Sequence, residues 1–570
     1  MQHKHFLKVL FFCSFPCTNL YAVYKKINFR IPLLVILLTH KIYMMKKLLI
    51  APLLICCASL FAQPDDATKY AETIRIAELQ KHLNIIASDE MQGRETGTEG
   101  QRKAAAYIES FFKTNGLAAS IPARGYQQFY PLYKDSIVSS ALGLGDKTAL
   151  YGTDYTSPVN TNDEGKFKAK KIVFAGYGIA DKDYNDYAGL NVKGKIVAIF
   201  LGEPKVNGQY ILGDKTGRGS QWTFPGLNKK LALAAEKGAV GVLIINPTQP
   251  TFTQRIADAS KKTNTYYPRP TPGKKINYAI LSHAFAKEIL GANTDSLIAA
   301  AKVFRSFGKN DYVEKKLKTN FEFKKHRTTV NASNVLALIE GSDKKEEFVF
   351  ITAHYDHIGM QNGIVNNGAD DDGSGTVAIM QIGEAFAKAK AEGKGPRRTV
   401  VIMAVSGEEK GLWGSEYYSD HPLYPLDKTT VDLNIDMIGR VDTERMKDDT
   451  LNYVYVVGHN KLSSDLPVIN EGVNKKYTGL VLDYKFDDVK DPNRIYFRSD
   501  HYNFARKGVP VLFFYDGMLK ADYHRPTDDV EKINWPLLEK RARMVFHTAW
   551  EMANRNEMLK RDIPLSSETR

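Results

Sequence analysis

The chain has 570 residues, of which 43% are hydrophobic, so it can bury a large core in two or more structural units and is not a wholly disordered protein. The formal net charge is +14, but residues 1–62 supply eight lysines and arginines and no acidic residue, which leaves +6 for the rest of the chain. Because no long basic run or nucleic-acid motif accompanies this excess, the composition argues against a nucleic-acid partner.

The N-terminal segment has the features of an export signal. Residues 44–62 combine a basic start, an apolar run and a final small residue, Ala62, before a polar stretch, as is typical of a secretory signal peptide. We therefore predict a periplasmic or secreted protein without a stable membrane anchor, and we interpret residues 1–43 as an upstream extension that precedes the true initiator. All four cysteines precede Ala62, so we expect any metal in the exported protein to be held by His, Asp and Glu.

The next two regions differ in the secondary structure that their sequence patterns predict. Residues 67–88 and 99–117 place apolar residues three and four positions apart, which predicts two amphipathic helices. From about 160 to 310, short β-rich runs are separated by Gly, Pro and Asp turns, with one predicted helix at 227–239. This region resembles the protease-associated domain, a small β-rich module with a helix before its GAVGVLIIN strand.

After residue 330, predicted strands and helices alternate. Strands are expected in NVLALIEG, EFVFITAHYDH, RRTVVIMAVSGEE and TVDLNIDMIG, and helices in GTVAIMQIGEAFAKAKAEG and GSEYYSDH. Alternation of this kind favours an α/β layer with a mostly parallel sheet. Open α/β sheets place their sites where the strands end, so polar residues at those ends are the candidates for function.

Five polar clusters occupy such positions. They are AHYDH at 353–357, GADDDGSG at 368–375, SGEEKG at 406–411, NIDMIG at 434–439 and DYHRPTDD at 522–529. The three consecutive aspartates are costly to crowd together, because neighbouring carboxylates raise one another's pKa and resist burial. Taken alone, they indicate either a bound cation or a solvated turn. Each cluster alone is weak evidence, whereas the ordered set of five favours a metal site.

The order and context of these motifs resemble the di-zinc aminopeptidase family of clan MH, family twenty-eight of the metallopeptidases. The resemblance extends from about residue 70 to 550 and implies an α/β fold, with a mostly parallel central sheet flanked by helices. It implies a peptidase domain in two parts, 66–159 and 311–560, with a protease-associated domain inserted at 160–310. It also implies two Zn²⁺ ions, peptide substrates and cleavage by a hydroxide that bridges the metals.

The resemblance assigns five metal ligands. His354 and Asp436 would bind one zinc, Glu409 and His524 the other, and Asp371 both. It also implies a cis peptide bond between Asp371 and the following residue.

The resemblance assigns catalytic roles as well. Glu408 would be the general base, Tyr496 would donate to the oxyanion, and Asp356 would orient the imidazole of His354. The remaining polar residues are expected to be structural or ordinary: Asp370 and Asp372 in turn and helix-cap hydrogen bonds, Asp500 and His501 as support near the site, and His326, His357 and His459 as ordinary histidines.

Two alternatives stay open. Another enzyme of the same fold, such as a glutaminyl cyclase with one zinc or a carboxypeptidase, would carry similar motifs. A non-catalytic, receptor-like binding protein would be expected to lack one or more ligands, and here all five ligands and Glu408 are present.

Overall fold

A computed structural model describes residues 65–565 of the chain, except for 122–124, 215–216, 224–225, 270–272, 447–448 and 489. The predicted upstream extension and signal peptide lie outside the described residues. The described α-helices are Asp66–Ala71 (α1), Ile76–Ile86 (α2), Glu99–Thr114 (α3), Leu227–Glu236 (α4), Gln254–Lys261 (α5), His283–Leu290 (α6), Thr294–Lys302 (α7), Gly375–Ala391 (α8), Trp413–Asp420 (α9), Asp465–Tyr477 (α10), His501–Ala505 (α11) and Trp535–Asn554 (α12).

The described strands vary from two residues to 26. They are Ala118–Ala119 (β1), Gln127–Leu144 (β2), Lys147–Thr148 (β3), Tyr155–Thr156 (β4), Gly165–Phe174 (β5), Ile196–Phe200 (β6), Lys205–Val206 (β7), Gln209–Tyr210 (β8), Gly241–Ile245 (β9), Tyr278–Leu281 (β10), Glu314–Ile339 (β11), Lys344–His354 (β12), Met360–Gln361 (β13), Ile364–Val365 (β14), Arg398–Val405 (β15), Thr429–Ile435 (β16), Tyr453–Val457 (β17), Val481–Asp483 (β18) and Val511–Tyr515 (β19).

The central sheet has the strand order β18-β17-β19-β16-β12-β15-β11. Strands β19, β16, β12 and β15 are parallel to one another, whereas β17 pairs with β19, and β11 with β15, in the antiparallel sense. The predicted α/β fold with a mostly parallel central sheet is therefore confirmed. Parallel strands need crossover connections, and helices α8 and α9 supply two of them.

Alternate residues of β12 pack into two different cores. Ile351 and Ala353 lie in one core together with residues of α8 and α12. Phe350 lies on the opposite face, against Tyr418 of α9 and Phe504 of α11. Successive side chains of a strand point to opposite faces, so a fully buried strand needs apolar residues at nearly every position. Each large apolar side chain buried in this way contributes about 1.5–3 kcal/mol, which fixes the strand ends that carry the polar clusters.

The strands between 160 and 310 extend the same sheet through the long strand β11. The last residues of β11 pair with β15, and its first residues pair with β5, which continues to β6, β9 and β10. A separate core covers this second half of the sheet, and it includes Leu142 and Phe323, which lie outside the predicted bounds on either side. The boundaries at 160 and 310, and the assignment to a protease-associated domain, stay predictions.

The two amphipathic helices predicted before residue 120 differ in how closely they match the structure. The stretch 67–88 forms two helices, α1 and α2, rather than one, because the backbone turns at residues 72–75. The stretch 99–117 forms α3, as expected. Among the described residues, no helix combines the length and the apolar character needed to cross a membrane.

Candidate metal centre

The polar clusters meet at the carboxyl ends of the central strands. His354 is the last residue of β12, Asp436 directly follows β16, and the pair Glu408 and Glu409 follows β15 within four residues. Because these three strands are adjacent and parallel, their carboxyl ends lie at the same edge of the sheet. His354, Glu409 and Asp436 are thereby brought together from positions up to 82 residues apart.

The first group of donor atoms surrounds Nε2 of His354. This nitrogen lies 3.2 Å from Oδ1 of Asp371 and 3.5 Å from Oδ1 of Asp436. The imidazole is 1% exposed. Asp372 also offers an oxygen to this group, but its Oδ1 accepts hydrogen bonds from the backbone N–H groups of Gly375 and Met437. Oδ2 of Asp372 has no hydrogen-bond partner among the described residues, so both carboxylates can face this group, and the assignment of Asp371 from the sequence stays a prediction.

The second group forms around Glu409. Its Oε2 lies 2.8 Å from Nε2 of His524, and its Oε1 lies 2.8 Å from Nδ1 of His357. Nε2 of His524 is also 3.2 Å from Oδ2 of Asp371. Asp371 thus directs Oδ1 to the first group and Oδ2 to the second, which is the arrangement of a bridging carboxylate.

The donor set fits two zinc ions. Nε2 of His354, Nδ1 of His357, Oδ2 of Asp371 and Oε1 of Glu409 are buried atoms that make no well-aligned hydrogen bond among the described residues, although Nδ1 of His357 and Oε1 of Glu409 are 2.8 Å apart. Buried polar atoms are normally satisfied, so these four atoms point to a missing partner that takes nitrogen and carboxylate donors. With Zn–N distances of 2.0–2.1 Å, tetrahedral neighbours stand roughly 3.3 Å apart, close to the separations found here.

The aspartate cluster is held by a residue that the sequence reasoning missed. The carboxylate of Asp528 accepts hydrogen bonds from the backbone N–H groups of Asp370 and Asp371. Asp370 in turn accepts one from the N–H of Gly439. The peptide bond between Asp371 and Asp372 is cis, as the resemblance implied. The crowded aspartates are therefore tied to backbone amides rather than solvated.

Asp356 acts differently from expectation. The acceptor beside Nδ1 of His354 is the backbone carbonyl of Asp356, at 3.0 Å, whereas the nearer carboxylate oxygen lies at 3.8 Å. The carboxylate instead accepts hydrogen bonds from the N–H of Glu408 and from the hydroxyl of Thr96. A proton on Nδ1 of His354 leaves Nε2 as the lone-pair donor. Asp356 therefore orients His354 through its backbone and the Glu408 loop through its side chain.

Burial and charge shift the acids of the site in opposite directions. Burial raises the pKa of Glu408 well above its usual range. Burial alone would also raise the pKa of Asp371, but the imidazoles of His354 and His524 outweigh it and lower that pKa well below the usual range. Opposite charges within a few ångströms favour the ionised form, and the ionised form is the one that binds cations.

A small cavity opens onto these groups, and Tyr496 does not line it. The lining includes Asp371, Glu408 and Asp436 together with the aromatic residues Tyr515 and Tyr523. Tyr496 is 1% exposed, and Nζ of Lys461 lies 5.2 Å from its ring centroid. In the 3₁₀ turn Ile495–Phe497, the neighbour Ile495 faces the cavity, so Tyr496 is directed into the core behind the wall.

Tyr515 is a tyrosine that does line the cavity. It is the last residue of β19, and its hydroxyl is buried without a hydrogen-bond partner among the described residues. Burial is the main reason that its pKa lies well above the usual range, and Asp436 contributes to the shift. A protonated phenol beside the metal groups is a suitable donor to developing negative charge.

The sequence predicts that His357 is an ordinary histidine, but in the structure its Nδ1 lies 2.8 Å from the predicted ligand Glu409. His357 is fully buried and belongs to a possible metal-binding group with Asp371 and Glu409. Its position three residues after His354 at a strand end was the available signal. By contrast, His326 is exposed on β11, and His459 pairs with Asp487. Asp500 accepts a hydrogen bond from Ser415, as expected for a supporting residue.

The region between 160 and 310 also reaches the loop that carries the two glutamates. Arg269 pairs with Glu416 of α9 at 2.7 Å, and its Nη2 donates to the carbonyl of Gly411 at 2.8 Å. Gly411 lies two residues after Glu409. The position of this loop is therefore linked to the second half of the sheet.

Comparisons with known proteins match part of the chain to peptidases. Residues 334–549 match the model of peptidase family M28. A probable leucine aminopeptidase of Arthroderma otae is 28% identical over 229 residues, or 39% of this chain and 58% of that protein. Aminopeptidase YwaD of Bacillus subtilis is 22% identical over 246 residues, or 40% of this chain and 47% of that protein. The chain thus spans about half the length of the curated relatives it matches.

A solved structure of an aminopeptidase from Aneurinibacillus sp. strain AM-1 superimposes with a TM-score of 0.45 at 18% identity, over 87% of this chain and 98% of that chain. The family match covers the segment in which β12, β15 and β16 present His354, Glu409 and Asp436 at one edge of the sheet. Residues 334–549, which carry these three strands, are thus the part of this chain that is similar to peptidase family M28.

Proposed function

We propose that this protein is an exported, zinc-dependent aminopeptidase that removes N-terminal residues from peptides. The observation that carries the proposal is the position of Asp371, which gives one oxygen to the His354 group and the other to the His524 group. A carboxylate shared in this way suits two adjacent cations. The export signal within residues 44–62 supports a location outside the cytoplasm.

Two zinc ions would be held by this chain. The first would take His354, Asp436 and Asp371, and the second would take His524, Glu409 and Asp371. His357 is placed to contribute a further nitrogen to the second ion. When bound, a pair of zinc ions lowers the pKa of water towards 7 and polarises a carbonyl group.

Glu408 is the proposed general base. Its side chain is 12% exposed, whereas that of Glu409 is 2% exposed, so Glu408 has access to water in the cavity. It takes a proton from the attacking water as the new C–O bond forms at the scissile carbonyl carbon. It then delivers that proton to the amine nitrogen as the C–N bond breaks. The backbone N–H of Glu408 donates a hydrogen bond to the carboxylate of Asp356. This hydrogen bond holds the backbone of Glu408 in place during both transfers.

Tyr515 is the proposed donor to the oxyanion. Its hydroxyl has no other partner among the described residues, so it is free to donate to the oxygen that gains charge in the tetrahedral intermediate. Ile495, Phe513 and Leu519 add apolar surface to the same cavity. This apolar surface can contact an apolar side chain at the N-terminus of the substrate. Such a preference agrees with the name of the Arthroderma otae relative, a probable leucine aminopeptidase.

A screen of aminoacyl chromogenic substrates, with and without chelator, tests the proposal. We expect turnover that chelation abolishes and zinc restores, together with two zinc ions per chain by elemental analysis. Peptides with a blocked amino group should not be cleaved, which separates an aminopeptidase from a carboxypeptidase. Cyclisation of N-terminal glutamine without peptide cleavage, or a protein with neither turnover nor zinc, would refute it.

A further inference from the structure

An arginine lies in the wall of the metal cavity. Arg498 lines the cavity together with Glu408 and Asp436, next to the apolar residues Ile495 and Phe513. It directly follows the 3₁₀ turn Ile495–Phe497. Its side chain is open to solvent, so a molecule that enters the cavity meets a cationic group beside the catalytic carboxylates.

The guanidinium of Arg498 is held but not neutralised. Its Nη2 donates to the hydroxyl of Tyr523 at 3.0 Å, and its central carbon lies 5.7 Å from the Tyr523 ring centroid. Tyr523 is itself fixed by stacking on His524, with 3.9 Å between the ring centroids. Within the described part of the chain, no carboxylate oxygen lies within 4 Å of Arg498, whereas Arg440, near the same edge, pairs with Asp522 at 2.8 Å.

Structural arginines in this chain look different. Arg94 is fully buried and donates to four backbone carbonyls. Arg541 is 1% exposed and donates to three. Arg498 has one neutral acceptor among the described residues and an open face, so most of its five donors are available. A planar guanidinium with free donors matches a carboxylate in bidentate fashion.

We propose, on the basis of the proposed peptidase function, that Arg498 forms an anion subsite that binds a carboxylate of the peptide substrate. Two sources of that carboxylate fit the same chemistry: the C-terminal carboxylate of a dipeptide, or the side chain of an N-terminal Glu or Asp. The subsite acts in substrate binding, so its loss raises KM for carboxylate-bearing substrates more than it lowers kcat.

Two matched substrate pairs separate the sources. The first pair is Leu-Gly and its C-terminal amide, and the second is the p-nitroanilides of Glu and Gln. The full-length protein is compared with Arg498→Gln and with Arg498→Lys, which keeps the positive charge but lacks the planar pair of N–H donors. Arg494→Gln is the control, because Arg494 is an exposed arginine outside the cavity.

We expect Arg498→Gln to lower kcat/KM by about 10- to 100-fold for the carboxylate member of one pair, the range for a lost hydrogen bond to a charged group. The uncharged member should change by less than about twofold. Arg498→Lys should recover part of the loss, and Arg494→Gln should behave as wild type. The substrate pair whose charged member loses kcat/KM identifies the source of the carboxylate. The subsite would be overturned if the ratio of kcat/KM between charged and uncharged members stayed unchanged in both pairs. Equal losses in both members of both pairs would overturn it as well.

Calorimetric titration distinguishes failure of the subsite from failure of the proposed function. Leu-Gly, Glu-amide and their uncharged counterparts are titrated into zinc-supplemented Glu408→Gln, which should bind these ligands with little hydrolysis, and into the double variant Glu408→Gln with Arg498→Gln. A preference of Glu408→Gln for the charged ligand that the double variant lacks supports the subsite, even if the wild-type protein hydrolyses no peptide. Equal affinity of both proteins for the charged ligands overturns it, even if the protein proves to be an aminopeptidase.

Discussion

Nδ1 of His357 lies 2.8 Å from Oε1 of Glu409, so that Glu409 is flanked by two imidazoles, those of His357 and His524. The second metal group is therefore richer in nitrogen than the first, which contains one imidazole. Imidazole nitrogens are preferred zinc ligands. The two proposed metal sites should consequently differ in their dependence on individual residues.

His357→Gln should weaken retention of the second zinc by about 10- to 100-fold, the range found when groups close to a metal are lost. The zinc held by His354 and Asp436 should be retained. Metal content measured by elemental analysis after dialysis against graded chelator concentrations tests this. His326→Gln is the control, because His326 is exposed on β11; equal zinc retention in both variants would contradict a role for His357.

The adjacent glutamates should separate metal binding from proton transfer. Glu408→Gln should keep both zinc ions and lower kcat by about 10²- to 10⁴-fold, as expected for a lost general base. Glu409→Gln should instead reduce zinc content, because a buried metal-facing carboxylate is removed. Zinc analysis together with steady-state kinetics distinguishes the two variants. Full activity with full zinc content in both variants would show that the roles are misassigned.

Tyr515→Phe should lower kcat by about 10²- to 10³-fold, the cost of one lost oxyanion donor. Tyr496→Phe should have little effect, because Tyr496 lies behind the cavity wall. KM and zinc content should be nearly unchanged in both. The reverse pattern, with the large loss in Tyr496→Phe, would restore the role that the family resemblance gave to Tyr496.

Asp135 should give a pH-dependent contribution to stability. Its buried carboxylate binds Arg327 at 2.8 Å and Lys325 at 2.9 Å, and it accepts a hydrogen bond from Tyr266. Burial alone would raise its pKa, but these partners outweigh burial and lower the pKa from 3.8 to about 2. The folded pKa is below the unfolded one, so the stabilisation is present above pH 4 and is lost as the pH falls towards 2.

At neutral pH, Asp135→Asn should lower the free energy of unfolding by about 2 kcal/mol. The difference from wild type should shrink as the pH falls from about 4 to 2. Urea unfolding of both proteins at a series of pH values measures this difference in the free energy of unfolding. Asp183→Asn is the control, because Asp183 is exposed and makes no ion pair among the described residues. A difference that is constant with pH would mean that the ion pairs do not supply the stability.

The sequence by itself determined the α/β class and the strand ends at which polar residues gather. Apolar runs such as EFVFITAH can form fully buried parallel strands, and the polar residues at their ends must then lie at one edge of the sheet. The position of the polar clusters follows from this local reasoning, because each cluster is attached to a strand whose register is fixed by its own apolar residues. The choice of His354, Glu409 and Asp436 within those clusters came from the family resemblance. The same resemblance assigned Asp371 and His524.

The tertiary structure alone decided the remaining features. The 26 residues of β11 form one strand that joins both halves of the sheet, although their polar and charged composition before residue 330 gives no clear strand signal. Asp528 meets the backbone of Asp371 from 157 residues away, a distance over which local patterns carry no information. The turn at Ile495–Phe497 directs Tyr496 away from the cavity. Such contacts depend on how separate segments pack against one another, and packing is a property of the whole folded chain.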